Sequence, residues 1–367
     1  MNRVLAIQDQ EQSKENVKKM YVSVMKEFDD LRGIVCRNEM VLIKPNLVAP
    51  FEKATTDLTL LECLIKTILN RNAIPIIAES SGFEFSTADT FRILGVDKLC
   101  SKYGVKLLNL DDVEYQYIES GNPLVPRYKM PKILSVVDKI IDVPCLKGHS
   151  LTKVTFGIKN LFGLLHRDTR REIHATNLEL GIAYLRKLVH VDFVMVDGLW
   201  NLINAVYSES FYQGIVVAGN SVDAVDRVCC SIFGVDYLEI PHIKLCARSV
   251  RYHYTPLSAI KEMDNHIKER QKHFIRQNYL YKSFYCFDRI FAGILKRSVI
   301  PYLHYWLGLR PYIDKKKCNN CGKCYSVCPT HAIRNKKILH KKCMNIRCFK
   351  CWEVCPNQAV IEKGLHK

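Results

Sequence analysis

Cys318-x2-Cys321-x2-Cys324-x3-Cys328-Pro329 is followed by Cys343-x4-Cys348-x2-Cys351-x3-Cys355-Pro356. Thiolates gathered at this spacing by tight turns ligate iron–sulfur clusters, and a proline closing each run belongs to the two-cluster arrangement. The halves also repeat, since Cys328-Pro329-Thr330-His331-Ala332-Ile333 is echoed by Cys355-Pro356-Asn357-Gln358-Ala359-Val360. In that arrangement each half lends one ligand to the other site. Cys318, Cys321, Cys324 and Cys355 are therefore expected to hold one [4Fe-4S] cluster, and Cys343, Cys348, Cys351 and Cys328 a second. The competing chemistry is a pair of structural zinc sites, which also use four thiolates but as separated C-x2-C pairs. Lysines and arginines around the runs, among them Lys323, Arg334, Lys336, Lys341 and Lys350, should favour the more negative reduced cluster.

A second set of reactive side chains lies upstream, between Pro144 and His174, where Lys147, His149, Lys159, Asn160, Arg170, Arg171 and His174 interrupt apolar sequence. One reading is an anion pocket of Lys44, Lys147, Lys159 and Arg170 or Arg171, with His149 and His174 as proton donors or metal ligands. The plainer reading is a lysine that snorkels or is ion-paired. No H-x-x-x-H or H-E-x-x-H spacing supports a histidine metal site there. The remaining cysteines, Cys36, Cys63, Cys100, Cys145, Cys229, Cys230, Cys246 and Cys286, have no ligand spacing and read mostly as small buried hydrophobes. Cys145 is the exception, since Lys147 and His149 beside it are candidates to lower its pKa.

These groups need a scaffold. Apolar runs at 41–47, 74–78, 105–110, 139–143, 191–196 and 214–218 alternate with helical spacing at 58–70, 87–103, 151–162, 178–188 and 222–233. An amphipathic helix is also expected over 13–33. The alternation predicts an α/β fold, a mostly parallel sheet with helices on both faces. Ligands bind beyond the carboxyl ends of strands in such sheets. Those ends carry Lys44 and Asn46, Glu79 to Ser81, Lys147 and His149, Asp197, and Asn220, Asp223 and Asp226. The expected catalytic residues are therefore Lys147, His149, Lys159 and His174. The expected substrate-binding residues are Lys44, Asn46, Glu79, Ser81, Asn160, Arg170, Asp197 and Asp223. Neither G-x-G-x-x-G nor G-x-x-x-x-G-K-[ST] occurs, which argues against a familiar dinucleotide or phosphate-loop enzyme.

The chain has 367 residues, with 54 Lys and Arg against 37 Asp and Glu. Residues 244–317 hold 16 of those cations against 5 carboxylates, with thirteen aromatic residues interleaved, so most of the excess is local. The expected organisation is an α/β domain at 1–243, a basic, aromatic-rich helical connector at 244–313 and a small α+β ferredoxin-like iron–sulfur domain at 314–367. Residues 260–296 have helical periodicity, and 281–310 have a composition suited to packing between domains or to peripheral contact with an anionic membrane. The longest uncharged run there, 298–309, is too short to span a bilayer. Nucleic-acid binding is disfavoured because the basic region has no reading motif. No secretory leader opens the chain, so a cytoplasmic location is expected.

Val41-Leu42-Ile43-Lys44-Pro45-Asn46-Leu47, Ala78-Glu79-Ser80-Ser81-Gly82, Leu146-Lys147-Gly148-His149, Gly157-Ile158-Lys159-Asn160-Leu161-Phe162-Gly163 and Ala218-Gly219-Asn220-Ser221-Val222-Asp223-Ala224-Val225-Asp226 resemble blocks of the family known as domain of unknown function 362. The likeness spans roughly residues 1–240. The segment 314–362 resembles bacterial-type two-cluster ferredoxins, with a four-residue gap, 344–347, where two residues are usual. The resemblance implies an iron–sulfur protein, since that family is often fused to such a segment. Two functions are compatible with these readings. One is a cytoplasmic oxidoreductase passing electrons from two [4Fe-4S] clusters to a small anionic substrate or cofactor. The other is a non-catalytic electron-transfer or maturation factor that docks a redox partner protein.

Overall fold

The computed structural model describes residues 2–82, 85–149, 151–202, 210–247, 252–254, 310–343 and 350–363. The first half runs β1 (Asn2–Gln8), α1 (Lys14–Glu27), β2 (Met40–Pro45), α2 (Leu58–Asn70), β3 (Ile74–Glu79), α3 (Thr87–Leu94), α4 (Val96–Tyr103) and β4 (Lys106–Asn109). An antiparallel pair, β5 (Tyr115–Glu119) and β6 (Arg127–Pro131), stands apart from the main sheet. Then follow β7 (Lys139–Val143), β8 (Cys145–His149), β9 (Lys153–Thr155), α5 (Gly157–Asn160), α6 (Arg167–Ala175) and α7 (Leu178–Leu188). The unit ends with β10 (Phe193–Leu202), β11 (Ser210–Gly219), α8 (Val222–Phe233), α9 (Pro241–Cys246) and β12 (Tyr252–Tyr254).

The strand order is β12-β1-β11-β10-β7-β2-β3-β4, with β8 and β9 continuing from β10. Strands β4, β3, β2, β7 and β10 pair in parallel, whereas β11 is antiparallel to both β10 and β1. The parallel strands are near-continuous apolar runs because both faces are covered. Side chains alternate across a strand, and the cores follow that alternation. Val41, Ile43, Ile77, Ile141, Phe193 and Met195 pack with α1 to α4. Leu42, Ile76, Ile140, Val194 and Val196 pack with α5 to α9. Side chains of Ser13, Asp57, Asn177 and Ser221 accept backbone N–H groups at the starts of α1, α2, α7 and α8, satisfying donors that a first turn leaves unpaired.

The six expected strands and the helices over 58–70, 178–188 and 222–233 are present. Four readings differ from expectation. The helix expected over 13–33 ends at Glu27, and a 3-10 turn at Asp29–Leu31 follows it. The helix expected over 87–103 is two helices, broken at Gly95, whose φ of 84° is a left-handed conformation open to glycine. Residues 151–162 are not one helix: Lys153–Thr155 is a strand hairpinned onto β8, and only Gly157–Asn160 is α-helical before a 3-10 turn. Lys147 and His149 therefore sit within a strand instead of following one.

The C-terminal segment pairs β13 (Arg310–Ile313) with β16 (Val360–Lys363), and β14 (Ile333–Arg334) with β15 (Lys337–Ile338). Helical turns at Lys323–Ser326, His340–Cys343 and Lys350–Glu353 complete a small α+β unit around Ile333, Ile338, Cys351 and Val360. The helix expected over 260–296 and nearly all of the 281–310 stretch lie outside the described residues. Among the described residues no helix is long and apolar enough to cross a membrane.

Candidate functional site

The expected catalytic and substrate-binding residues divide into a closed polar network and a separate group of Lys159, His149 and His174. Lys44 is fully buried, ion-paired to Glu79 Oε2 at 2.7 Å, and donates to Pro45 O at 2.7 Å. Glu79 also accepts the N–H groups of Leu47 and Ser80. Asn46 Oδ1 accepts from Lys147 Nζ at 2.9 Å, and Asn46 Nδ2 donates to Asn160 Oδ1 at 2.9 Å. Asn160 Nδ2 donates in turn to Asp142 Oδ1 at 2.7 Å. Ser81 Oγ donates to Leu47 O, and Ser81 O accepts from Arg170. Lys44 and Lys147 are thus consumed by internal partners, which removes them as free anion ligands; Lys147 also donates to Ala54 O.

Glycines let this network close. A Cβ on Gly163 would stand 2.6 Å from Glu79 Oε1 and 3.1 Å from Lys44 Nζ. A Cβ on Gly157 would meet Val222 at 2.5 Å and Asp226 Oδ1 at 3.0 Å. Asp226 accepts the Gly157 and Ile158 N–H groups at 2.8 and 2.9 Å, and burial pushes its carboxyl up to about 7. Burial also raises Asp142 well above the usual carboxylate range. The Lys-Asn-Leu-Phe-Gly block owes much of its composition to this packing. Asp223 lies elsewhere, paired to Arg186 at 3.0 Å, and is not brought to the network.

Lys159, His149 and His174 form the other group, all three partly buried. Lys159 Nζ lies 4.8 Å from the centre of the Phe162 ring, and the His174 ring meets Phe162 edge-on at 5.3 Å. His149 Nδ1 accepts from the N–H groups of Leu151 and Thr152, which leaves Nε2 to carry the proton in the neutral ring. Burial, then the charges of Arg170, Lys147 and Lys44, pushes the Lys159 ammonium down to about 7. Glu79 is the carboxylate acting against them, and it is already bonded to Lys44. Burial, with Lys159 and Arg170, lowers His174 to about 3, and burial with Lys159 and His174 lowers His149 well below its usual value. At neutral pH both imidazoles are uncharged, so the ionisable proton nearest neutrality belongs to Lys159.

Asp197 accepts from the N–H groups of Asp57 and Leu199 at 2.7 and 2.9 Å, and burial raises it to about 7. It borders a cleft of about 270 Å³ lined also by Asp57, Thr55, Lys53, Cys145, Trp200 and Val354. Lys53 stacks on Trp200 at 4.1 Å. Cys145 is buried, and desolvation raises its thiol to about 12, so the low-pKa role considered for it is overturned. Val354 immediately precedes Cys355 in the sequence.

Cys318, Cys321, Cys324 and Cys355 line one small cavity, the set expected for one crossed-ligand cluster. Among the described residues no three His, Cys, Asp or Glu side chains are placed to hold one metal ion. Four thiols around one cavity match in number the ligands that a four-iron cluster takes. Cys328 Sγ accepts from Ala332 N and Cys355 Sγ from Ala359 N, both at 3.2 Å, so the internal repeat is also a repeat of sulfur hydrogen bonding. Cys348 lies outside the described residues.

Residues 41–231 match the family described as Domain of unknown function (DUF362), more than half of the chain. The chain belongs to this family. Residues 311–334 match the 4Fe-4S binding domain, which identifies the C-terminal part of this DUF362 protein as an iron–sulfur segment. No curated protein matches the chain. Among solved structures, the lactate racemase apoprotein from Thermoanaerobacterium thermosaccharolyticum aligns with a TM-score of 0.41 at 14% identity, covering 64% of this chain and 57% of that one.

Sequence reasoning found Lys159, His149 and His174 by residue type. It missed His242, a buried imidazole between Pro241 and Ile243 whose only sequence signal is a polar side chain in an apolar turn.

Proposed function

We propose that this DUF362 protein is an oxidoreductase carrying electrons from two [4Fe-4S] clusters to a small anion held at Lys159, with His149 and His174 beside it. The observation that carries the reading is Lys159 itself: among the described residues no carboxylate pairs with it, whereas Lys44 and Arg170 nearby are paired, with Glu79 at 2.7 Å and with Asp111 at 3.7 Å. A group so arranged gains from any anion that enters. The two imidazoles, neutral at pH 7, orient the anion by N–H donation, and Lys159 holds a proton exchangeable near neutrality. Bound clusters would supply electrons singly, drawn from a redox partner protein. Val354, next to Cys355, lines the same cleft as Asp197, which supports transfer toward the strand ends of the α/β unit. The free thiols of that unit suit a reducing cytoplasm.

Protein reconstituted without oxygen and reduced with dithionite tests this. A panel of small carboxylates and oxyanions should contain one that reoxidises the clusters, followed by loss of reduced-cluster absorbance. Lys159→Met should slow that reoxidation at least tenfold with iron content unchanged. If no anion reoxidises the wild-type protein, the site does not receive electrons, and the docking alternative takes its place.

A further inference from the structure

His242, on α9, is fully buried, and neither Nδ1 nor Nε2 has a hydrogen-bond partner. An imidazole buried with both nitrogens unpaired is costly, so such a side chain is retained where something else meets it. Helix α9 packs against α5, the helix that carries Lys159, and against α7 and α8. The charged groups on those neighbours are largely accounted for. Arg186 of α7 pairs with Asp223 of α8, Asp226 of α8 accepts two N–H groups of α5, and Glu239 before α9 pairs with Lys153. Arg227 of α8 lies over the Tyr237 ring and Lys187 of α7 over the Tyr184 ring. Among the described residues, Lys159 is the charge that bears on His242, and His242 bears in turn on His149.

We propose that His242 is a further ligand residue of the Lys159 site, and that His242, His149, His174 and Lys159 together take a small dianion, whose charge and size inorganic phosphate and malonate reproduce without accepting electrons. This rests on the anion reading above and names the ligand's charge. A monoanion is balanced by Lys159 alone and leaves the buried His242 nitrogens bare. A second negative charge draws a proton onto one of the surrounding imidazoles and converts it to a charge-assisted donor. Burial holds both His242 and His174 down to about 3, so in the free protein neither is charged at neutral pH. Binding must then be accompanied by proton uptake from solvent.

Isothermal titration calorimetry of the cluster-loaded protein at pH 8, in two buffers of different ionisation enthalpy, reads both affinity and protons. The probes are phosphate, malonate and, as the monoanion, acetate. The expected result is that phosphate or malonate binds at least tenfold tighter than acetate, with more than one proton taken up per dianion. His242→Gln should weaken that binding at least tenfold and reduce the uptake to one proton or fewer. His242→Phe should melt no lower than wild type yet lose the same binding, separating a ligand role from a folding role. Wild-type affinity and uptake in both variants would make His242 a core residue and overturn the inference while leaving anion binding intact. Equal binding of acetate overturns the dianion assignment, and no binding of any probe overturns the anion reading itself.

Discussion

Lys44 and Lys159 are the same residue type within one fold, yet their surroundings assign them opposite duties. Lys44 is fully buried against Glu79, so deleting its charge leaves a buried carboxylate without its partner. Breaking such a pair costs about 3–5 kcal/mol. Lys44→Met should therefore lower the urea midpoint sharply, and any activity lost with it reports unfolding. Lys159 sits among cations with its pKa held near 7, so its charge is a burden below neutral pH. Lys159→Met should match or exceed wild-type stability at pH 6 in the same titration. Equal destabilisation by both substitutions would contradict the division into closed network and separate Lys159 group. Residue type alone marked both lysines as candidates. Which of them was already paired depends on Glu79, 35 positions away, and only the fold brings that residue within reach.

At the scale of elements, the hairpin of β8 and β9 with α5 shows what periodicity does and does not settle. Leu151, Val154, Ile158, Leu161 and Phe162 have spacings that fit a helix, whereas Val154, Phe156 and Ile158 also alternate. Short apolar runs admit both assignments, and pairing with β8 decided for the strand. The long parallel strands were legible because burial on both faces removes that ambiguity. The start of α5 was not, since Phe156 offers no capping side chain and Asp226 of α8 supplies the acceptor from 68 positions away. That capping has a pH signature. The Asp226 carboxyl titrates near 7 in the folded protein and near 4 in the unfolded chain, so the folded state holds the extra proton between those values. Its contribution is present below about pH 4 and is lost as pH rises to about 7. Asp226→Asn cannot titrate, so urea midpoints should show the variant gaining on wild type between pH 4.5 and 7.5. Parallel curves would mean that Asp226 is ionised throughout that range.

For the whole molecule, the question is whether the two proposed clusters are equivalent. The cysteine set Cys318, Cys321, Cys324 and Cys355 shares a cavity, and Val354, next to Cys355, faces the cleft of Asp197. We propose that the cluster on this set passes electrons to the α/β unit and that the cluster on Cys328, Cys343, Cys348 and Cys351 receives them. Electrons entering from a partner would then reach the second cluster first and leave through the first. Wild-type protein reconstituted without oxygen should contain about eight irons and eight acid-labile sulfides. Cys355→Ser and Cys343→Ser should each fall to about four irons, because each removes one ligand from one cube. Their electron transfer should differ. After dithionite reduction, the cluster remaining in Cys343→Ser should still be reoxidised in a single turnover by whichever anion reoxidises wild type. Cys355→Ser should retain a reducible cluster that the anion no longer reoxidises. Stoichiometric zinc without labile sulfide would overturn the cluster assignment. Equal reoxidation of the two variants would overturn only the order of the clusters, since it would mean that either one reaches the anion.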